Sequence, residues 1–304
     1  MSHKTLDTLI EDIHGVIDGN GGWDKTVNEY FLKQLGGTLN SKFNPSSSNK
    51  PGLRVSNLGT PCERKLWYSI NGHTKASSTS PTLKLLFMYG DILEDLLMSL
   101  CVAAGHKVEG AQDALTIDGL KGHRDCVIDG VTVDIKSASA YNFDKFKFST
   151  LRTDDTYGYI SQLSSYVYAA KDDPLVTDKV NGAFLVINKS TGELALDSYD
   201  FTYELSNKLE EVAAKRAMIK DPTPPAILYY PEPDGYWKGK RDNDDNFIPN
   251  GNMKLPKGCM FCPNIITCWP EAKAYNKGYK DIIYTTVVNP PKNKYGGQHK
   301  EVDL

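Results

Sequence analysis

The chain has 304 residues, 40% hydrophobic and 24% charged, an ordinary globular balance long enough to bury one large core or two small ones. Its 35 basic and 38 acidic residues leave a formal net charge of −3, so overall electrostatics do not argue for a polyanionic partner, and any such contact must lie in a local groove. The longest apolar stretch, Leu83 to Leu100, is broken by Lys84, Asp91, Glu94 and Asp95, which excludes a transmembrane helix and any membrane partner through it.

Apolar residues at Leu6, Leu9, Ile10, Ile13 and Ile17 make a helical stripe. Asp7, Glu11 and Asp12 fall inside it, so the first thirty residues lack the charged-then-apolar order of a signal peptide, and the expected location is the cytoplasm. Asn44 to Gly52, rich in Ser, Asn and Pro, reads as a loop. Helical patterns follow at Cys62 to Ile70 and Leu83 to Ala104, then strand-like residues from His106 to Lys136, a helix over Tyr157 to Ala170, strands at Gly182 to Asn188 and Glu193 to Phe201, and a helix over Tyr203 to Lys220. This order predicts an α/β or α+β fold. Pro222 to Pro233 and the polar run Asp234 to Lys257 read as an extended connector, and the last fifteen residues as loosely ordered.

Within Gly122 to Lys136, GHRDCVIDGVTVDIK, the Asp129-Gly130 pair is a two-residue hairpin turn between strand-like runs. It sets Ile128 against Val131, Val127 against Thr132, Cys126 against Val133 and Asp125 against Asp134. Strand alternation then puts Asp134 and Lys136 on one face, with Asp125 beside them across the ladder. Like charges so placed are destabilising unless a cation neutralises them. An all-oxygen carboxylate set suits Mg²⁺ or Mn²⁺. The plainer reading is a solvent-exposed hairpin whose aspartates are separated by water and balanced by Lys136.

Gly122-His-Arg-Asp125 followed by Val133-Asp-Ile-Lys136 resembles the signature of the PD-(D/E)XK nuclease superfamily, with Ser137 and Ala138 as its small continuation. Gln162-Leu-Ser-Ser-Tyr166 is similar to the glutamine–tyrosine motif of the RecB-like branch, and four residues apart means one helix face. Gly90-Asp-Ile-Leu-Glu94 is similar to that branch's G-x-x-x-(E/H) motif. Periodicity does not choose among Asp91, Glu94 and Asp95; only the resemblance favours Glu94. The plainer reading of Gln162 and Tyr166 is an amphipathic helix packed through Ile160, Leu163 and Val167.

Six cysteines without an export signal argue for reduced thiols or bound metal. Cys259, Cys262 and Cys268 form C-x₂-C-x₅-C, three thiolates for one centre. Cys62, one cysteine before the candidate core with three after it, resembles the split site of the four-cysteine RecB-like nucleases, which include the AddB nuclease domain and CRISPR-associated RecB-like exonucleases. The resemblance implies a structural 4Fe–4S cluster, whereas spacing alone suits a structural Zn²⁺ equally. Cys101 and Cys126 sit in apolar stretches and read as small buried hydrophobes.

The resemblance therefore implies a restriction-endonuclease-like core, a central mixed sheet flanked by helices, with an N-terminal helical region over 1–60, the nuclease domain over 61–270 and a C-terminal extension over 271–304. It implies a Mg²⁺- or Mn²⁺-dependent DNA exonuclease acting on single-stranded ends in recombination, repair or phage DNA processing. Glu94, Asp125, Asp134 and the Ile135 carbonyl are the implied metal ligands, Lys136 handles the water, and Gln162 and Tyr166 position DNA or the lysine. No G-x-x-x-x-G-K-[ST] run is present, so a helicase or recombination protein would supply any ATP-driven unwinding. Candidate phosphate contacts are Arg64 and Lys65, Lys145 with Lys147 and Arg152, and Lys238, Lys240 and Arg241, although such clusters are more often solvated faces. The competing readings are an endonuclease with the same site, a DNA-binding or assembly subunit that has lost catalysis, and a zinc-stabilised interaction module with an incidental hairpin.

Overall fold

In the computed structural model the described residues are 4–44, 51–73, 81–235, 241–260, 262–276, 281–291 and 298–302. In chain order the elements are α1 (Leu9–Ile17), α2 (Lys25–Phe43), α3 (Val55–Leu58), α4 (Glu63–Ile70), α5 (Pro81–Ala103), β1 (Val108–Glu109), β2 (Ala114–Ile117), β3 (Leu120–His123), β4 (Cys126–Ile128), β5 (Val131–Ala138), α6 (Ala140–Lys147), α7 (Tyr159–Ala169), β6 (Asn181–Asn188), β7 (Leu194–Asp200), α8 (Thr202–Ser206), α9 (Lys208–Lys220), β8 (Glu232–Gly235), β9 (Pro249–Lys254), α10 (Ile265–Cys268), β10 (Lys273–Asn276), β11 (Asp281–Thr286) and β12 (Lys300–Val302). The protein is α+β. Among the described residues no helix is long and apolar enough to cross a membrane.

Two compact units emerge, Met1–Gly59 with Ser78–Arg216, and Thr60–Ser77 with Ala217–Leu304. Each draws on two separated segments, where the sequence suggests three consecutive regions.

The first unit is built on a five-stranded sheet of order β1-β4-β5-β6-β7. β5 and β6 run parallel, and the other pairs are antiparallel. One set of apolar side chains joins Val133, Ile135, Ala183 and Leu185 to Leu9 and Ile13 of α1 and Leu97 and Met98 of α5. The alternate strand residues Phe184 and Val186 pack with Phe143, Phe146, Leu163 and Val167 of α6 and α7. Both faces of β6 are thus covered, which is why Ala183 to Ile187 reads as a continuous apolar run, whereas β5 keeps Thr132, Asp134 and Lys136 on one face. Cys101 and Cys126 are fully buried in the first of these clusters.

The hairpin turn forms where its residues demand. Asp129 has φ 49° and Gly130 φ 83°, both left-handed as a type I′ turn requires, and the Ile128–Val131, Val127–Thr132 and Cys126–Val133 pairs follow. His106 bridges Asp129 (2.6 Å) and Asp12 (3.1 Å), tying the turn to α1.

The arm before the turn differs from the single strand expected. β3 turns away to pair with β2, Leu120 against Ile117 and His123 against Ala114, leaving Arg124 and Asp125 between strands. The cause is Arg124, 1% exposed, whose guanidinium pairs with Asp113 (3.0 Å) and Asp173 (2.6 Å) while Nε donates to the Gly110 carbonyl. Arg124→Met is expected to cost about 3 kcal/mol, the low end for removing one partner from a buried ion pair because Asp113 stays half exposed; urea unfolding would measure it.

The second unit carries an antiparallel sheet of order β12-β10-β11-β9-β8, with β8 and β9 formed from the run read as connector, β12 from the tail read as loosely ordered, and β10 and β11 from the C-terminal extension. Part of that tail, 292–297, lies outside the described residues. The proline-rich run is anchored near its start, where Arg64 donates to the Pro225 carbonyl (2.7 Å), and the chain just before it is held by Trp67 Nε1 to Asp221 (2.8 Å) and Asn71 to Ile219 (3.1 Å).

Candidate functional site

Asp134 and Lys136 lie on one face of β5, two residues apart, and form an ion pair. Asp125 reaches the same place from the bend between β3 and β4. Its Oδ2 accepts the Ile135 N–H at 2.8 Å, and its carboxyl is within hydrogen-bonding reach of Asp134. The two aspartates therefore meet, although through the bend rather than as a ladder pair.

Glu94 comes in from α5, with Gln112 donating to its Oε1 at 3.0 Å. Burial first, then the charges of Asp125 and Asp134, push its carboxyl up to about 9, against a partial offset from Lys136. Burial and Asp134 likewise push Asp125 up to about 7. Burial pulls the Lys136 ammonium down, but Asp134 and Asp125 outweigh it, and the lysine stays charged with its pKa raised. The cluster holds three acidic groups against one ammonium, and its charge is relieved by retained protons or by a further cation.

The neighbouring acids of α5 are otherwise engaged. Asp91 pairs with Lys42 (2.5 Å), and Asp95 is buried, its carboxyl raised by that burial with Thr38 opposing.

Gln162 and Tyr166 are neighbours on α7, and Gln162 favours the ionised form of the tyrosine. Tyr166 is buried, and burial, then the nearby Asp134 and Asp125, push its hydroxyl up to about 12, so it stays a neutral donor. Gly122 allows this approach: a Cβ there would stand 2.5 Å from Val55 Cβ and 3.2 Å from the Tyr166 ring. His123 is exposed at the strand edge.

In the second unit Cys62, Cys259, Cys262 and Cys268 line one cavity with Arg64, Lys65 and Tyr68 of α4. All four are free thiols. Burial, then the other three thiols, push Cys259 up to about 12, with Lys65 opposing. Burial also raises Cys262, while Lys65 favours its thiolate. Lys65 is thus a counter-charge for ionised sulfur.

Among the described residues no three or more His, Cys, Asp or Glu side chains are drawn into the spacing of a coordinated ion. The carboxylates and the thiols are neighbours, not closed ligand shells.

The chain matches no family model and no curated protein. Among solved structures it is similar to "Crystal structure of SSO0001" at 15% sequence identity and a TM-score of 0.34, over 66% of this chain and 89% of that chain. At that TM-score the likeness bears on neither fold nor activity.

The candidate phosphate contacts are largely paired within the protein. Lys145 holds Asp154 (2.7 Å), Lys147 holds Glu193 and Arg152 holds Glu204. Arg64 covers the Tyr68 ring at 5.2 Å, and Arg241 lies 3.6 Å from Asp245. Lys238 and Lys240 lie outside the described residues.

One residue beside the carboxylates has no place in the motifs. The Tyr159 ring lies 5.6 Å from the Lys136 ammonium. Its helical spacing from Leu163 and Tyr166 marks it only as part of a packed face, so sequence patterning gave no reason to single it out.

Proposed function

We propose that this chain is a divalent-metal-dependent DNA nuclease of the RecB-like PD-(D/E)XK type, with a restriction-endonuclease-like core in the first unit and a four-cysteine structural metal site in the second. One observation carries the reading: Glu94, Asp125 and Asp134 gather at Lys136, with Asp134 buried and the others half-buried, and two of the acids are pushed up to about 9 and 7 by burial and mutual repulsion.

The donors suit a hard cation. They are all oxygen, and Asp134 Oδ2 is buried without a well-formed hydrogen bond although the Lys136 ammonium lies against it. Glu94, Asp125, Asp134 and the Ile135 carbonyl would hold Mg²⁺ or Mn²⁺. Such an ion supplies a water of lowered pKa and stabilises charge on phosphate oxygens.

The protein's own groups have distinct tasks. Lys136, held as an ammonium by its aspartates, orients the attacking water by donating to it and offsets phosphate charge; in this arrangement it is a donor rather than a base. Tyr166, kept neutral by burial, and its neighbour Gln162 would position the substrate. The Ile135 N–H holds Asp125 in its orientation, freeing the other carboxylate oxygen.

In the cysteine site four thiolates satisfy a structural centre, and the family resemblance favours 4Fe–4S over zinc. Lys65 supports the ionised form that either metal needs.

The test is hydrolysis of linear and closed circular DNA with Mg²⁺, Mn²⁺ or chelator. Wild type is expected to degrade linear DNA only with metal, and Asp134→Ala and Lys136→Ala to lose that activity. Equal activity in all three proteins removes the assignment. Cleavage of the closed circle makes the enzyme an endonuclease with the same chemistry.

A further inference from the structure

The segment that leads into α7 holds an exposed ring beside the carboxylate site. Tyr157 is 46% exposed, and its ring lies 5.5 Å from that of Tyr159, tilted by 37°. Tyr159 in turn carries the Lys136 ammonium 5.6 Å from its centroid and packs against Phe146 (6.0 Å) and Phe184 (6.4 Å). A continuous path of contacts therefore runs from the candidate active-site lysine through an anchored ring to an exposed one.

The backbone that carries the exposed ring is held in place. The Asp155 carboxylate accepts the N–H groups of Gly158, Tyr159 and Ile160 at 2.8 to 2.9 Å, capping α7. Gly158, at φ 79°, lies so close to Gly59 that a Cβ would stand 1.6 Å from the Gly59 carbonyl oxygen. Only glycine fits there, and the backbone next to Tyr157 cannot relax away. A half-exposed aromatic on a fixed backbone beside the carboxylate site costs less entropy when a flat ligand stacks on it than one on a mobile loop.

The nearby cations of the 145–152 stretch are satisfied within the protein. Lys145, Lys147 and Arg152 each carry a carboxylate partner, and Arg152 also lies over Tyr199 and Phe201 at 5.3 and 5.7 Å. This side of the site is therefore poor in charge for phosphates and has an aromatic surface for bases.

We propose that Tyr157 is a positioning residue on which an unpaired nucleobase flanking the scissile phosphate stacks. The inference rests on the nuclease reading. Stacking needs an open base face, so the residue favours single-stranded over duplex substrate. Because stacking does not displace counterions, binding should depend weakly on salt.

The experiment follows a single-stranded oligonucleotide carrying 2-aminopurine, whose fluorescence is quenched by stacking, together with steady-state cleavage. Tyr157→Ala should raise KM roughly tenfold, the scale of one lost base stack, with kcat within about twofold and the quench lost. Tyr157→Phe and Tyr157→Trp should keep both the KM and the quench, since the ring and not the hydroxyl is used. The logarithmic slope of wild-type KM against salt should not exceed about 2, fewer than three neutralised phosphates. The side chain is exposed, and all variants should melt with wild type.

An unchanged KM and quench in Tyr157→Ala overturns the proposal, as does a KM rise shared by Tyr157→Phe or a salt slope several times steeper. Failure of the nuclease reading shows separately: wild type would not cleave DNA with either metal. The quench still decides the stacking claim, since it needs no cleavage.

Discussion

Glu94→Gln is expected to raise the melting temperature of the chelated protein at alkaline pH while removing most of the metal-dependent hydrolysis. In the folded protein the Glu94 carboxyl is pushed up to about 9 from an ordinary 4.5, burial coming first and the Asp125 charge next. A raised acid pKa means that the folded state holds a proton which the unfolded state has released. Folding stability therefore falls as pH rises from about 4.5 and levels off above about 9, with Asp125 contributing from 3.8 to about 7.

Glutamine stays neutral throughout. Below pH 4 the variant and wild type should differ little, and at pH 9.5 in EDTA the variant should melt higher. Adding Mn²⁺ should reverse the order, because an ion that binds the folded state stabilises wild type by mass action and finds one carboxylate fewer in the variant. Activity should fall by more than about a hundredfold, since losing even an indirect supporter of a metal ligand costs 10–100-fold. Parallel pH slopes for the two chelated proteins would show that Glu94 carries no such charge penalty.

Cys262→Ala should be the most damaging change in the second unit. Cys259 and Cys262 pack against Leu255, Ile265, Ala274 and Ile283, and with Cys268 they face Cys62 across one cavity. The unit is assembled from Thr60–Ser77 and Ala217–Leu304, so a metal bound by all four thiolates fastens two pieces of chain separated by the whole of the intervening segment. Closing so long a loop removes much unfolded-state entropy, and binding free energy of this kind is folding free energy, about 10–16 kcal/mol for structural zinc in small peptides.

Anaerobically purified wild type should be brown and contain iron and sulfide. Cys262→Ala should lose colour, metal and solubility together, whereas Asp134→Ala should keep all three. A colourless wild type with one equivalent of zinc would assign the site to that metal. A soluble, metal-free Cys262→Ala protein with wild-type melting and activity would remove the structural role.

The elements legible in the sequence are those fixed by neighbours a few residues apart. The Asp129-Gly130 turn is left-handed at both positions because those residue types tolerate it, and register then places Val131, Thr132 and Val133 without further information. Period alone locates α4, α5, α7, β6 and β7. It does not find α2, whose KTVNEYFLKQLGGTLNSKF buries little beyond Val27, nor the sheet of the second unit, whose strands are short, with proline in β8 and β9.

The clustering of charges was a matter for tertiary structure. Asp91, Glu94 and Asp95 are equivalent in helical pattern, and they separate only in the tertiary structure, where Asp91 pairs with Lys42, Asp95 is buried and Glu94 lies close enough to Asp125 and Asp134 to feel their charges. The buried Arg124 bends the chain so that Asp125 arrives from outside the ladder, a long-range ion pair that no local period encodes. The same holds for Cys62 beside Cys259–Cys268 and for Tyr159 beneath Lys136. Turn chemistry and strand alternation act over a few bonds and are written in consecutive residues, whereas the energy of a buried charge depends on everything packed around it.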